Sequence, residues 1–83
     1  MKKADIIKAL HNQAEIRESL LPYDNYKTSL WQNNIESPIY GYIDKKICNV
    51  SRLTFINLLN DNIIERIERC NNYDVYILKD DTN

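Results

Sequence analysis

The chain contains a single glycine, Gly41, among its 83 residues. It lies between two tyrosines in the segment "SPIYGYIDKKICNVS", residues 37–51. Nucleotide hydrolases and dinucleotide-binding enzymes hold phosphate groups in loops that need several glycines at fixed spacing, so the sequence excludes both kinds of site. We therefore look for a structural reason for this glycine in the local backbone.

The size and composition of the chain indicate one small folded domain. With 83 residues, of which 43% are hydrophobic and 28% charged, it has the composition of a globular protein with one core. The formal net charge of -1 provides no overall positive field that would attract nucleic acid. No apolar run approaches the ~20 residues of a membrane helix, and the start "MKKADIIKAL" becomes polar too soon for a signal peptide. We expect a cytoplasmic protein that does not enter a membrane.

Few side chains in the sequence are suited to catalysis or metal binding. His11 is the only histidine, and Cys48 and Cys70 are the only cysteines. These three residues are fewer than the four ligands of a structural zinc site, and they are not closely spaced in the sequence. In a reducing cytosol we expect the cysteines to be small buried apolar residues without a disulfide, and a cysteine nucleophile assisted by His11 is the weaker alternative. The sequence predicts no enzyme activity, no metal and no cofactor.

The first half of the chain predicts a helix followed by a loop. Apolar residues at helical spacing, including Ile6 and Leu10, predict an amphipathic helix over residues 3–21 that ends at Pro22. Residues 22–37 have no dominant period and are rich in turn-forming residues, so we expect a loop there.

Residues 39–50 allow two interpretations. Ser37 and Pro38 suit the first positions of a short helix. Against a helix, Ile, Tyr and Val favour strands, and "IDKK" suits a tight turn between two of them. We therefore expect a β-hairpin over residues 39–50.

This hairpin gives Gly41 a structural interpretation. Alternating side chains would place Ile39 and Ile43 on the core face and Tyr40 and Tyr42 on the other. A glycine between the isoleucines would let another part of the chain approach the strand closely.

The rest of the chain predicts a short helix and a second hairpin. Ser51 is a suitable N-cap for a helix over residues 51–61, and "NDN" at residues 60–62 supplies an asparagine for a left-handed exit. In residues 63–79 the turn-rich "NNYD" and the strand-forming "VYIL" favour a hairpin over an extension of the helix. With a tail at residues 80–83, the predicted fold is a single small α+β domain in the order helix, β-hairpin, short helix, β-hairpin.

The segment "VSRLTFINLLNDNIIERIERCNNYDVYILKD" resembles the recognition helix and wing of winged-helix proteins: a capped helix, a turn and two strands with a polar tip. The resemblance implies a DNA-binding regulator as an alternative function. Polar side chains of the helix would then enter the major groove, and arginines of the wing would contact the DNA. The residues implied are Arg52, Thr54, Asn57 and Asn60 on the helix, and Arg66 and Arg69 on the wing.

The function that we favour over DNA binding is that of a non-catalytic protein that docks on another protein or on a protein–nucleic acid machine. Six tyrosines and one tryptophan can supply large, rigid contact surfaces. Base stacking on these tyrosines beside Lys45 and Lys46, and a homodimer formed through the exposed hairpin edge, are two further alternatives. The predicted protein-binding residues are Tyr40, Tyr42, Tyr23 and Tyr26.

The composition adds a finer hypothesis. The chain is rich in Ile, Asn, Lys and Tyr, whose codons are A/T-rich, and poor in Gly, Ala and Pro. Such a bias suggests an A/T-rich genome, such as that of a phage. Small phage proteins, including inhibitors of host defence, are similar in size and in their lack of motifs, so by analogy the chain would be a phage or mobile-element inhibitor of host defence.

Overall fold

The fold is built on one antiparallel sheet. The computed structural model describes residues 2–21, 27–70 and 72–79. In these residues helix α1 (Lys3–His11) is followed by the strands β1 (Ala14–Ser19), β2 (Thr28–Ser37) and β3 (Gly41–Val50). Helix α2 (Arg52–Asn60) and the strands β4 (Ile64–Arg69) and β5 (Tyr73–Leu78) complete the order. The five described strands lie in the order β3-β2-β1-β5-β4, which places β1 at the centre.

The predicted α+β class of a small single domain is confirmed, but the predicted order of elements is not. The helix expected over residues 3–21 is wrong beyond His11. Gln13 has a positive φ of 70°, a left-handed conformation that ends the helical path. The next residues form β1, in which Ala14 and Ile16 are buried and the residues between them face the other way. The spacing of apolar residues in so short a segment fits a strand as well as a helix. Pairing with β2 on one side and β5 on the other stabilises the strand.

The loop expected over residues 22–37 is also wrong where the structure describes it. Residues 28–37 form β2, whose Leu30 is fully buried and pairs with Ile16 on one side and Cys48 on the other. The asparagines and serines of this segment have low strand propensity, and pairing on both sides outweighs that preference. Residues 22–26 of the predicted loop lie outside the described part of the chain.

The hairpin expected within residues 39–50 is in fact a single strand, β3. Its partner is β2, and the turn lies at residues 38–40 rather than at "IDKK". Ile39 and Ile43, which were expected to face the core, are exposed. The strand propensity was read correctly, but local sequence does not show which distant segment a strand pairs with.

Gly41 therefore has a different role from the expected one. A Cβ atom added there would meet nothing within 4 Å, so no part of the chain approaches it closely. Its φ of +78° is left-handed and lies at the exit of the turn into β3. The Ser37 Oγ also accepts hydrogen bonds from the backbone N–H groups of Ile39 and Tyr40, at 3.4 and 3.3 Å. Gly41 and Ser37 together shape this turn.

The second half of the chain contains a helix and a hairpin, in the predicted order. The Ser51 Oγ accepts a hydrogen bond from the backbone N–H of Thr54 at 3.1 Å, as an N-cap does. After α2, Asn62 takes the left-handed conformation, with a φ of 58°. β4 and β5 pair antiparallel, with a bulge between Arg66 and Glu68.

Both helices pack on one face of the sheet. The ring of Phe55 in α2 meets Tyr76 of β5 edge-on, with the ring centroids 4.9 Å apart. Burial of these side chains supplies the main stabilisation of so small a domain. The core consists of Ile6, Leu10, Ala14, Ile16, Leu30, Val50, Phe55, Leu58 and Ile64. Within the described residues no helix packs on the opposite face, which we call the uncovered face of the sheet.

Replacement of Gly41 tests its backbone role. Gly41→Ala is expected to lower the free energy of unfolding by about 1 kcal/mol, because alanine is strained in the left-handed region. Gly41→Asn should lower the free energy of unfolding by less, since asparagine tolerates the left-handed conformation. Urea denaturation of the two variants measures the difference. Equal losses would show that φ is not the reason for the glycine.

Candidate functional site

The β2–β3 hairpin reaches beyond the rest of the sheet. β1 pairs with β2 only from Thr28 to Gln32, whereas β3 pairs with β2 as far as Ser37. The outer part of the hairpin is therefore a two-stranded ribbon. β3 is also an edge strand among the strands described, with Lys45 and Lys46 as charges that discourage unspecific pairing.

Large apolar side chains are concentrated at the end of this ribbon. Ile39, Tyr40, Tyr42 and Ile43, which we call the tip cluster, are 78%, 77%, 71% and 40% exposed. Four such side chains within five consecutive residues concentrate apolar exposure at this end of the ribbon. The two predicted tyrosines are thus exposed at the turn and the start of β3, although not for the reason expected.

The uncovered face of the sheet is centred on Arg17 of β1. Its guanidinium donates to Oε2 of Glu15 at 2.7 Å and to Oδ2 of Asp44 at 2.6 Å. The guanidinium carbon also lies 4.5 Å from the centroid of the Trp31 ring and 5.0 Å from that of Tyr73, close enough for cation–π attraction. Arg17 therefore links β1 with β2, β3 and β5.

The surroundings of Arg17 keep it charged although it is largely buried. The side chains of Arg17 and Glu15 are only 13% and 12% exposed. Burial disfavours the guanidinium charge, but hydrogen bonds to Glu15 and Asp44 favour it more, so the pKa of Arg17 lies above its ordinary value. Asn33 joins the network by donating to Glu15 and accepting from Arg17 at 3.3 Å. Two carboxylates therefore balance this one positive charge.

A cleft of about 430 Å³ opens beside Arg17 on the same face. Lys27, just before β2, and Lys46, on β3, contribute to its lining, and neither makes an ion pair within the described part of the chain. Because Arg17 is already balanced, these two lysines supply the unpaired positive charge. The full lining is Arg17, Ser19, Lys27, Ser29, Trp31, Lys46, Asn49 and Tyr73.

The arginines implied by the winged-helix resemblance are engaged in ion pairs. Arg52 on α2 pairs with Glu18 of β1. On the β4–β5 hairpin, Arg69 lies 2.9 Å and Arg66 3.8 Å from the carboxylate of Asp74, which is almost fully buried. Each of these guanidinium groups is already paired with a carboxylate, which lowers the positive charge that this surface offers to DNA phosphates.

The other residues proposed from the sequence are distributed as follows. Thr54 is tied to the helix cap by a hydrogen bond from the Ser51 hydroxyl at 2.8 Å. Asn57 and Asn60 are exposed on α2. The predicted sites Tyr23 and Tyr26 lie outside the described residues.

The sequence analysis assigned neither Arg17 nor Tyr73 to a site, and it expected a loop over residues 22–37, where Trp31 lies. A signal was present in "AEIRES", residues 14–19, where Ala14 and Ile16 alternate with polar residues in the period of a strand. A helix over residues 3–21 would not bring Arg17 together with residues of β2, β3 and β5.

Three further observations limit the kinds of site in the described residues. No three His, Cys, Asp or Glu side chains there lie close enough together to hold a metal ion. Neither α1 nor α2 is long and apolar enough to span a membrane. Cys48 and Cys70 are both partly buried and form no disulfide within the described residues, and Cys48 packs against the core.

Comparison with protein-family models, curated proteins and solved structures finds no significant match to this chain.

The Arg17 network can be tested by charge removal. Arg17→Met should lower the free energy of unfolding by about 2 kcal/mol, because it leaves Glu15 buried without its cation and removes the cation beside two rings. Arg17→Lys should lose about 1 kcal/mol, since it keeps the charge but not the planar fork.

Urea denaturation measures these losses, and Arg52→Met is the matched control. The Arg52 side chain is 58% exposed in its ion pair with Glu18, so its removal should cost under about 1 kcal/mol. Equal losses at Arg17 and Arg52 would contradict the argument from burial.

Tyr73 provides a test by pH. A hydrogen bond with the Cys70 thiol, together with burial, raises the pKa of Tyr73 above its ordinary value of 10.0. The folded protein therefore favours the neutral phenol, and this stabilisation is complete below about pH 10 and is lost as the pH rises through the folded-state pKa. Tyr73→Phe should make the free energy of unfolding fall less steeply above pH 10. An unchanged slope in urea denaturations across this range would contradict the assignment.

Proposed function

We propose that this protein acts without catalysis, by binding another protein through the tip of the β2–β3 hairpin. The observation that carries the proposal is the exposure of the tip cluster. Contiguous apolar patches on small soluble domains mark interaction surfaces, because exposing them to water is unfavourable.

The ribbon is suited to present these side chains in a fixed arrangement. β2 and β3 remain paired up to the turn, with Ile35 opposite Ile43 and Ser37 opposite Gly41. Since the backbone is already ordered, a partner would lose little conformational entropy from the ribbon on binding. Tyrosine is among the side chains that most often anchor the centre of an interface.

The chemistry of the tip favours a protein over nucleic acid. Ile39 and Ile43 cannot bond phosphate or base edges, and Glu36 lies opposite Tyr42 in the strand register. An acid at this position repels the phosphate backbone. A partner with an apolar pocket and a mixed-charge rim fits this surface.

Two hypotheses from the sequence remain predictions. The finer one, an inhibitor that blocks a host defence complex, is one kind of docking protein and rests on size and composition. The DNA-binding alternative rests on the winged-helix resemblance, and Arg52→Ala with Asn57→Ala is the pair of changes that tests it. The hairpin edge also makes a second copy of this chain one of the protein partners to be tested, by sedimentation.

The docking proposal is tested with the double variant Tyr40→Ala/Tyr42→Ala. Both side chains are exposed, so the circular dichroism spectrum should stay native while recovery of the partner falls at least about tenfold, as at interface anchors. The measurement is affinity capture from lysate with and without nuclease and at two salt concentrations.

Leu53→Ala is the matched control for apolar exposure, because Leu53 is 70% exposed but lies on α2. It should leave capture unchanged. Loss of the native spectrum in the double variant, or equal capture by both variants, would contradict docking through the tip. Recovery of nucleic acid that declines steeply with salt would instead support the DNA-binding alternative.

A further inference from the structure

We propose that the cleft beside Arg17 binds a nucleotide, with its phosphate on Lys27 and Lys46 and its base against Trp31 and Tyr73. This site lies on the uncovered sheet face, apart from the tip cluster, and does not depend on the docking function.

The charge of the cleft selects an anion. Lys27, just before β2, and Lys46, on β3, both line it, and their ammonium groups have no carboxylate partner within the described residues. Arg17, by contrast, is held by Glu15 and Asp44. The charge available to a ligand is thus that of two lysines, which bind phosphate as point charges.

The walls of the cleft select a flat ring attached to that anion. The Trp31 indole is held in place on one side by the Arg17 guanidinium and at its edge by a hydrogen bond from Nε1 to the Ser29 Oγ of 2.8 Å. Tyr73 is also in contact with Arg17. Aromatic side chains fixed in this way provide stacking surfaces for bases of any sequence.

The dimensions and remaining polar groups fit the same class of ligand. A volume of about 430 Å³ lies within the range of roughly 300–1,000 Å³ typical of small-molecule sites. The Asn49 side chain, exposed on β3 opposite Ser29, adds an amide that can donate and accept hydrogen bonds. One cleft thus offers two lysines for the phosphate, two rings for the base and an amide for hydrogen bonds to the ligand.

Trp31 makes the proposal directly measurable, because it is the only tryptophan in the chain and lines the cleft. Its fluorescence is followed while the whole protein is titrated with AMP, with a short oligodeoxyadenylate, with inorganic phosphate and with adenosine. AMP or the oligonucleotide should change the emission saturably. Phosphate and adenosine, which each carry half of the ligand, should bind at least about tenfold more weakly.

Neighbouring lysines supply a matched pair of variants. Lys46→Gln and Lys27→Gln should each raise the dissociation constant about tenfold by removing a charge-assisted contact. Lys45→Gln removes the same charge from the adjacent position on β3, which does not line the cleft. It should change the dissociation constant less than about twofold. Tyr40→Ala/Tyr42→Ala should also bind normally, so failure of the docking proposal would leave this result intact.

Each outcome decides the proposal. Tighter binding of the oligonucleotide than of AMP would assign the ligand to a single-stranded nucleic acid, and comparable binding would assign it to a free nucleotide. Absence of a saturable change with both would overturn the proposal. Equal binding of phosphate alone would replace the nucleotide by a simple anion, and equal weakening by Lys45→Gln would show that the cleft is not the site.

Discussion

The burial of a guanidinium at the centre of the sheet is the constraint on which the other features of the uncovered face depend. A charge that loses water must be paired, and Arg17 reaches carboxylates on its own strand and on β3. The two rings beside it replace water with polarisable surface. These partners lie on four strands, and two of them, Trp31 and Tyr73, line the cleft, so one charged residue positions both of its rings.

The same residue also separates the hairpin into two parts. Asp44 of β3 is tied to β1 through Arg17, whereas residues 41–43 pair with β2 alone. The inner part of the hairpin therefore belongs to the sheet, whereas among the described strands the outer parts of β2 and β3 pair only with each other. An apolar surface on such a projection contributes little to the core, which agrees with a role in binding.

The predictable parts of this fold are those with local causes. Ser51 caps α2 by accepting a hydrogen bond from the backbone N–H of Thr54, three residues further along the chain. Asn62 turns the chain away after α2, because asparagine tolerates the left-handed conformation. β1 and β2 depend instead on partners far along the chain, and nothing within their own residues specifies those partners. The tip tyrosines were expected to be exposed from a hairpin over residues 39–50 that the structure does not contain, and Arg17 and its neighbours meet only in the sheet.

A register shift in β3 gives the cleft its charge. Leu30 pairs with Cys48, and a regular ladder would continue by placing Ile47 opposite Trp31. The irregularity between Leu30 and Trp31 places Lys46 there instead. Because opposite residues share a sheet face, this bulge moves an ammonium group beside the indole in place of an isoleucine. A second irregularity, between Gln32 and Ile35, restores the original register, so the ribbon reaches the tip as a regular ladder while its inner part carries the cationic cleft.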